Sequence, residues 1–133
     1  MQPTGNTILI TGGGSGIGAA LAHEFHEAGN QVIIAGRRRD ALDAVVAKHP
    51  GMAAVTLDMA DAAAIPAFAQ QLLADFPALN AVLLNAGIMV AEDMIDLDVA
   101  EATIATNLLG PIRLTHALLP HLEAQPAATI LTV

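Results

Sequence analysis

Residues 11–18 read Thr-Gly-Gly-Gly-Ser-Gly-Ile-Gly; they follow a β-branched apolar run, Thr7-Ile8-Leu9-Ile10, and open into an Ala-rich stretch. A strand, a glycine turn and a helix in that order build an anion cradle. Glycines at 12, 16 and 18 let the backbone take positive φ and approach a ligand, while the helix that follows aims unpaired N–H groups and its positive dipole end at an anion. Gly14-Ser15-Gly16-Ile17-Gly18-Ala19 also fits the general dinucleotide pattern G-x-G-x-x-A, and the absence of a following Gly-Lys-Ser/Thr excludes a nucleoside-triphosphate P-loop. Flavin or other nucleotide binders share the same pattern, so the turn alone points to a dinucleotide without choosing one.

Working outward, strand and helix signals alternate as βαβαβαβαβ, with no linker, repeat or low-complexity segment, so residues 1–133 are expected to form one domain. The composition agrees: 54% of residues are hydrophobic but only 2% aromatic, which asks for a core of Ala, Val, Ile and Leu, as in a parallel sheet covered on both faces. The first helix is expected from about Ile17 to Ala28, with Ile17, Leu21, Phe25 and Ala28 inward, stopped by Gly29-Asn30. Strand two follows over Gln31–Ala35, a helix over Asp40–His49, and strand three over Ala53–Leu57. A third helix runs from Pro66 to Phe76, and strand four covers Ala81–Leu84. Asp98 and Glu101 have capping-box spacing for a fourth helix, bent at Gly110-Pro111 and ending at Leu119-Pro120. The last strand is Thr129–Val133. The expected fold is α/β: a doubly wound, Rossmann-like parallel sheet of order 3-2-1-4-5, with ligand groups at the carboxyl ends of the strands.

A net charge of −8 argues against nucleic acid and anionic membranes as partners. There is no cysteine and no signal-peptide pattern at Met1-Gln-Pro-Thr-Gly-Asn, and no apolar stretch reaches membrane-spanning length, so a cytoplasmic protein is expected. His23 and His26 lie one turn apart beside Glu24 and Glu27, and His116 and His121 are five apart. The expectation is a solvated polar face and no metal site.

Three of the five basic residues are adjacent, Arg37-Arg38-Arg39, just after Ala35-Gly36 at the end of strand two. In a doubly wound fold an acid at that point binds the ribose 2′-hydroxyl of NAD, whereas an arginine accommodates the 2′-phosphate of NADP. The alternative is solvated loop charge partnered by Asp40 and Asp43. NADP(H) is therefore the preferred cofactor with NAD(H) possible, and Arg37 and Arg38 are the residues expected to make the choice.

Three further segments fall into place with the turn. The chain resembles the short-chain dehydrogenase/reductase family over its whole length, which corresponds to the amino-terminal half of the family's domain and implies a sheet truncated after strand five. Thr11-Gly12-x-x-x-Gly16-Ile17-Gly18 is similar to its cofactor turn, and Leu57-Asp58-Met59 to the segment whose acid holds the adenine. Asn85-Ala86-Gly87 is similar to its Asn-Ala-Gly turn, although Leu84 stands where the family usually has another asparagine. Asn107-Leu-Leu-Gly110 resembles its active-site asparagine segment. Each has a plainer reading: Asp58 caps a turn, Asn85 ties neighbouring strands, and Asn107 is an exposed helical asparagine despite poor helix propensity. The resemblance implies that Asn107 positions a water in a proton relay and that Ile88, Met89 and Val90 form an apolar wall.

It further implies hydride transfer between a nicotinamide and a small carbonyl or alcohol substrate, in an intact protein that is a homo-oligomer. The family's serine, tyrosine and lysine are not matched within these residues: there is no tyrosine and the one lysine is Lys48. The 133-residue chain alone is accordingly expected to be inactive. A non-catalytic nucleotide-binding or sensing domain is the competing reading.

Overall fold

A computed structural model describes residues 1–90 and 96–133. Five strands, β1 (Thr7–Thr11), β2 (Gln31–Gly36), β3 (Ala53–Thr56), β4 (Leu79–Leu84) and β5 (Thr129–Thr132), form one sheet. Every pairing is parallel and the order is β3-β2-β1-β4-β5. The helices are α1 (Gly16–Glu27), α2 (Arg39–Val46), α3 (Ala64–Asp75), α4 (Leu97–Ile104) and α5 (Gly110–Glu123), with a π-helical turn over Ala105–Leu109 between the last two. This is the doubly wound, Rossmann-like architecture that the alternating pattern specifies.

Successive strand residues point to opposite faces, so β1 feeds two cores. Ile8 and Ile10 join Val32, Ile34, Leu42 and Ala22 under α1 and α2. Leu9 joins Ile33, Phe68, Leu72, Leu114 and Leu118 under α3 and α5. Both faces of β1 and β2 are dry, which is why their sequences are continuous apolar runs rather than alternating ones.

Several boundaries differ from the sequence reading for identifiable reasons. In α1 the inward residues are Gly18 and Ala22, flanked by Leu21 and Phe25, while Ile17 is 65% exposed and Ala28 also faces solvent. Small residues at 18 and 22 let this helix sit close to the sheet, and that rotation turns Ile17 outward. The helix expected over Asp40–His49 ends at Val46, and its chain continues as turns to His49. Asp96 is the true cap of α4: its Oδ1 accepts the Asp98 and Val99 N–H groups at 3.0 and 3.4 Å, so Asp98 lies in the first turn instead. The irregularity placed at Gly110-Pro111 is the π turn immediately before it. Nor does the helix stop at Pro120. It continues to Glu123, because one more turn buries Leu122 in line with Leu114 and Leu118 and brings His121 Nε2 to 3.0 Å from the Leu79 carbonyl. Those gains offset a proline cost of about 3 kcal/mol.

The amino ends of the strands are tied by asparagines. Asn30 Oδ1 accepts from the Asn6 backbone N–H at 2.9 Å and from Asn6 Nδ2 at 2.8 Å, and Asn30 Nδ2 donates to the carbonyls of Phe25 and Pro3. Asn6 and Asn30 are each 5% exposed. The opposite, carboxyl ends of the strands are left for the site.

Candidate cofactor site

The turn after β1 is held from below. Gly12 and Gly13 both donate their N–H groups to the Ala35 carbonyl, at 2.7 and 3.2 Å. Gly12 and Gly16 have φ of +71° and +55°, the left-handed region that a side chain resists. Gly18, by contrast, has ordinary helical backbone and is needed for space: a Cβ there would overlap the Gly12 carbonyl oxygen and lie 2.5 Å from Asn85 Nδ2. Ser15 caps α1 in extended conformation without spending its side chain on the helix. The first-turn N–H groups of α1 therefore remain available to an anion.

Thr11 anchors the neighbouring strand. Its Oγ1 accepts the N–H groups of Asn85 and Ala86, each at 3.0 Å, and donates to the Leu83 carbonyl at 3.4 Å. Asn85 returns the link, with Nδ2 donating to the carbonyls of Thr11 at 3.1 Å and Gly12 at 3.5 Å. The side chain of Asn85 thus braces the glycine turn from behind rather than facing the cleft. Thr11 is the member of this pair that the sequence reading left out of the site; its signal was its position as the last, buried and polar residue of an apolar strand.

The cleft over the carboxyl ends of the strands gathers most of the expected residues: Gly12, Gly14, Ser15, Arg37, Arg38, Asp58, Met59, Ala86 and Gly87 all line it. Gly16, Ile17, Gly18, Asn85 and Asn107 do not; they shape it from behind or from its rim. Leu57, of the Leu57-Asp58-Met59 segment, and Ile88 also line it, together with Leu42 and Thr106, buried residues with no motif to betray them. Of the expected apolar wall only Ile88 takes part, since Met89 is 93% and Val90 44% exposed. Asp58 caps a turn, its Oδ1 accepting the Ala60 N–H at 2.9 Å, and also lines the cleft.

The three arginines separate. Arg39 Nε lies 2.9 Å from Asp43 Oδ1, an exposed ion pair one helical turn long, and its guanidinium also reaches the Ala54 carbonyl at 3.3 Å. Arg37 and Arg38 line the cleft, and among the described residues neither makes an ion pair. A Cβ on Gly36 would meet only Leu42, at 3.5 Å. The lack of an acid at the end of β2 is therefore not imposed by crowding.

Across the cleft, Asn107 sits in the π turn. Its Oδ1 accepts the Ile88 N–H at 2.8 Å and its Nδ2 donates to the Ile88 carbonyl at 2.7 Å. Gly110, at the end of that turn, packs so closely on Met59 that a Cβ would stand 2.5 Å from the Met59 carbonyl oxygen. Through these two contacts the turn is fixed against both the segment after β4 and the loop after β3.

Fold and site together define a doubly wound α/β domain of the Rossmann type, with a glycine turn where the strand order reverses. The chain belongs to the short-chain dehydrogenase family, whose model, described as short chain dehydrogenase, matches residues 6–133. It is 37% identical over 137 residues to the uncharacterized oxidoreductase DltE of Bacillus subtilis, covering 100% of this chain and 54% of that protein. It is 33% identical over 138 residues to the NADP-dependent 3-hydroxy acid dehydrogenase of Schizosaccharomyces pombe, covering 97% and 53%. Among solved structures, a short-chain dehydrogenase from Streptomyces avermitilis superposes with a TM-score of 0.85 at 31% identity, covering 96% of this chain and 48% of that one. A 3-oxoacyl (acyl-carrier-protein) reductase from Agrobacterium tumefaciens with NADP bound gives 0.84 at 25%, covering 97% and 52%. The chain thus spans about half the length of the relatives it matches. Among the described residues no helix is long and apolar enough to cross a membrane.

Proposed function

We propose that residues 1–133 are the cofactor-binding half of an NADP(H)-dependent oxidoreductase that passes hydride between the nicotinamide and a carbonyl or alcohol carbon of a small molecule. The observation that carries the cofactor choice is the split arginine cluster. Arg39 is neutralised by Asp43, whereas Arg37 and Arg38 face the cleft without a carboxylate partner among the described residues. A 2′-phosphate would match those two guanidiniums. The NADP-dependent yeast relative and the NADP-bound structural neighbour support the same choice.

The residues present fit a dinucleotide. The first turn of α1 offers N–H groups to the pyrophosphate, the turn keeps its shape because a side chain at Gly12 or Gly18 would strike Ala86, Asn85 or the Gly12 carbonyl behind it, and Asp58 keeps its second oxygen for the adenine amino group. When bound, the nicotinamide supplies or accepts the hydride. Asn107 holds the cleft's far wall in place. Both of its side-chain polar atoms are engaged by Ile88, and Pro111, four residues on, has no N–H for its carbonyl. We assign to that carbonyl the positioning of a water for the proton relay.

Carbonyl reduction leaves an alkoxide that needs a proton near neutral pH. Residues 1–133 contain no tyrosine, and Lys48 lies beyond the far end of α2, so we place the proton donor outside these residues. An apolar row along the π turn and α5, with Leu108, Ile112 and Leu119 all at least 40% exposed, supports a homo-oligomer in the intact protein.

The test is titration of full-length protein with NADPH and NADH, followed by turnover on a panel of carbonyl compounds. Tighter binding of NADPH and its consumption are expected. Equal or tighter binding of NADH would overturn the cofactor choice, and tight NADPH binding without turnover on any carbonyl would favour the nucleotide-sensing reading.

A further inference from the structure

The sequence places His23 and Glu27 one turn apart on α1 and leads to no metal site there. The fold adds a third group. His49, in the turn that follows α2, is brought up against α1, so that ligand atoms of His23, Glu27 and His49 all lie within 4.8 Å of one another. The His23 and His49 ring centroids are 5.0 Å apart, and the His26 ring stands edge-on to His49 at 5.5 Å. Among the described residues none of the three side chains makes a hydrogen bond or an ion pair, either with each other or elsewhere.

Three atoms so spaced have a common centre about 2.8 Å or less from each, against zinc–ligand distances of about 2.0–2.2 Å. Closing the difference asks for shifts of about 1 Å from side chains that are exposed or, for His49, half-buried. Two imidazoles and one carboxylate are a donor set for zinc and its transition-metal neighbours, whereas magnesium and calcium prefer oxygen alone. Water would complete a tetrahedral shell.

We propose that His23, Glu27 and His49 bind one zinc-class divalent ion that fastens the carboxyl-terminal part of α1 to the turn after α2. The site lies at the opposite ends of these helices from the cofactor cleft, so it stands or falls independently of the cofactor reading. Its consequence is mechanical: α1 carries the glycine turn at its start and α2 follows Arg37 and Arg38, and the ion would lock the two helices in register.

The experiment uses untagged full-length protein stripped with a chelator and titrated with zinc chloride by calorimetry, alongside thermal melts with and without zinc. Wild type is expected to bind one ion per chain at this site and to melt at a higher temperature with zinc. His49→Ala and Glu27→Gln, both changes of side chains without a hydrogen bond or ion pair among the described residues, should weaken binding by about tenfold or more, and Glu27→Gln, exposed and of equal size, should leave the metal-free melt unaltered. His116→Ala, on α5 across the sheet, should change neither. Absence of saturable binding, or binding that survives both His49→Ala and Glu27→Gln undiminished, would overturn the proposal, as would an equal loss in His116→Ala.

Discussion

Asn107 grips Ile88 by both ends of its amide, at 2.8 Å to the N–H and 2.7 Å to the carbonyl, and so makes a side chain serve as one rung of a β ladder. The rung joins the π turn to the segment leaving β4, which no backbone pairing reaches. Asn107→Leu keeps the volume and removes both bonds. It is expected to lower turnover of the full-length protein by about tenfold or more while changing NADPH affinity much less, because the phosphate turn and arginines are untouched. Steady-state kinetics against a binding titration separates the two; a parallel loss of both would assign Asn107 to cofactor binding instead.

Gly18 and Gly16 make a matched pair of probes. Gly18→Ala drives a methyl into the Gly12 carbonyl and Asn85, whereas Gly16→Ala meets no atom within 4 Å and suffers only its positive φ. The first should cost about 1–3 kcal/mol of stability through overpacking and lose most NADPH affinity, since the turn itself must move. The second should cost about 1–2 kcal/mol. Urea unfolding with parallel cofactor titration reads both, and a Gly18→Ala protein with wild-type affinity would remove the turn from the site.

Room beside Gly36 allows a direct test of cofactor choice. Gly36→Asp adds a carboxylate near Arg37 with only Leu42 to accommodate, so the fold should persist. The ratio of NADPH to NADH affinity is expected to fall by about 10–100-fold, the equivalent of one charged hydrogen bond; Arg37→Asp should act in the same direction. An unchanged ratio in both variants would show that this strand end does not read the ribose.

At the other end of the sheet, Asn30→Ala removes four hydrogen bonds and leaves the buried Asn6 N–H without its partner. A loss of about 2–3 kcal/mol is expected in denaturant unfolding, with cofactor affinity unaltered because the asparagines lie at the amino ends of the strands. Affinity that fell with stability would reveal coupling along β1.

A polypeptide limited to residues 1–133 is expected to bind no substrate productively and to self-associate. In β5 the side chains of Ile130 and Leu131 are 36% and 47% exposed, and its outer edge lacks a neighbouring strand. The net charge of −8 works against association without covering that edge. Size-exclusion profiles of this polypeptide and of the full-length protein should differ; a monodisperse, catalytically active 1–133 would contradict the placement of the proton donor elsewhere.

What the sequence determined by itself is what depends on neighbours along the chain. Apolar β-branched runs must be strands, glycines at 12, 16 and 18 must be a turn against a helix, and strands separated by helices must be parallel, so the architecture was legible without coordinates, and the strand order once the motifs had pointed to a family. The motif residues around the cleft were legible for the same reason: each sits at a strand end, and strand ends converge in a doubly wound sheet. Tertiary structure alone decided matters that rest on distance across the fold. Arg39 parted from Arg37 and Arg38 because α2 begins between them and aims Arg39 along its own axis at Asp43. Pro120 stayed helical because Leu122 had a core to enter, and Ile17 turned outward because Gly18 and Ala22 let α1 press on the sheet. Asn85 faced Thr11 and Gly12, and His49 came to rest against His23 and Glu27, because packing brings together groups that no local spacing relates.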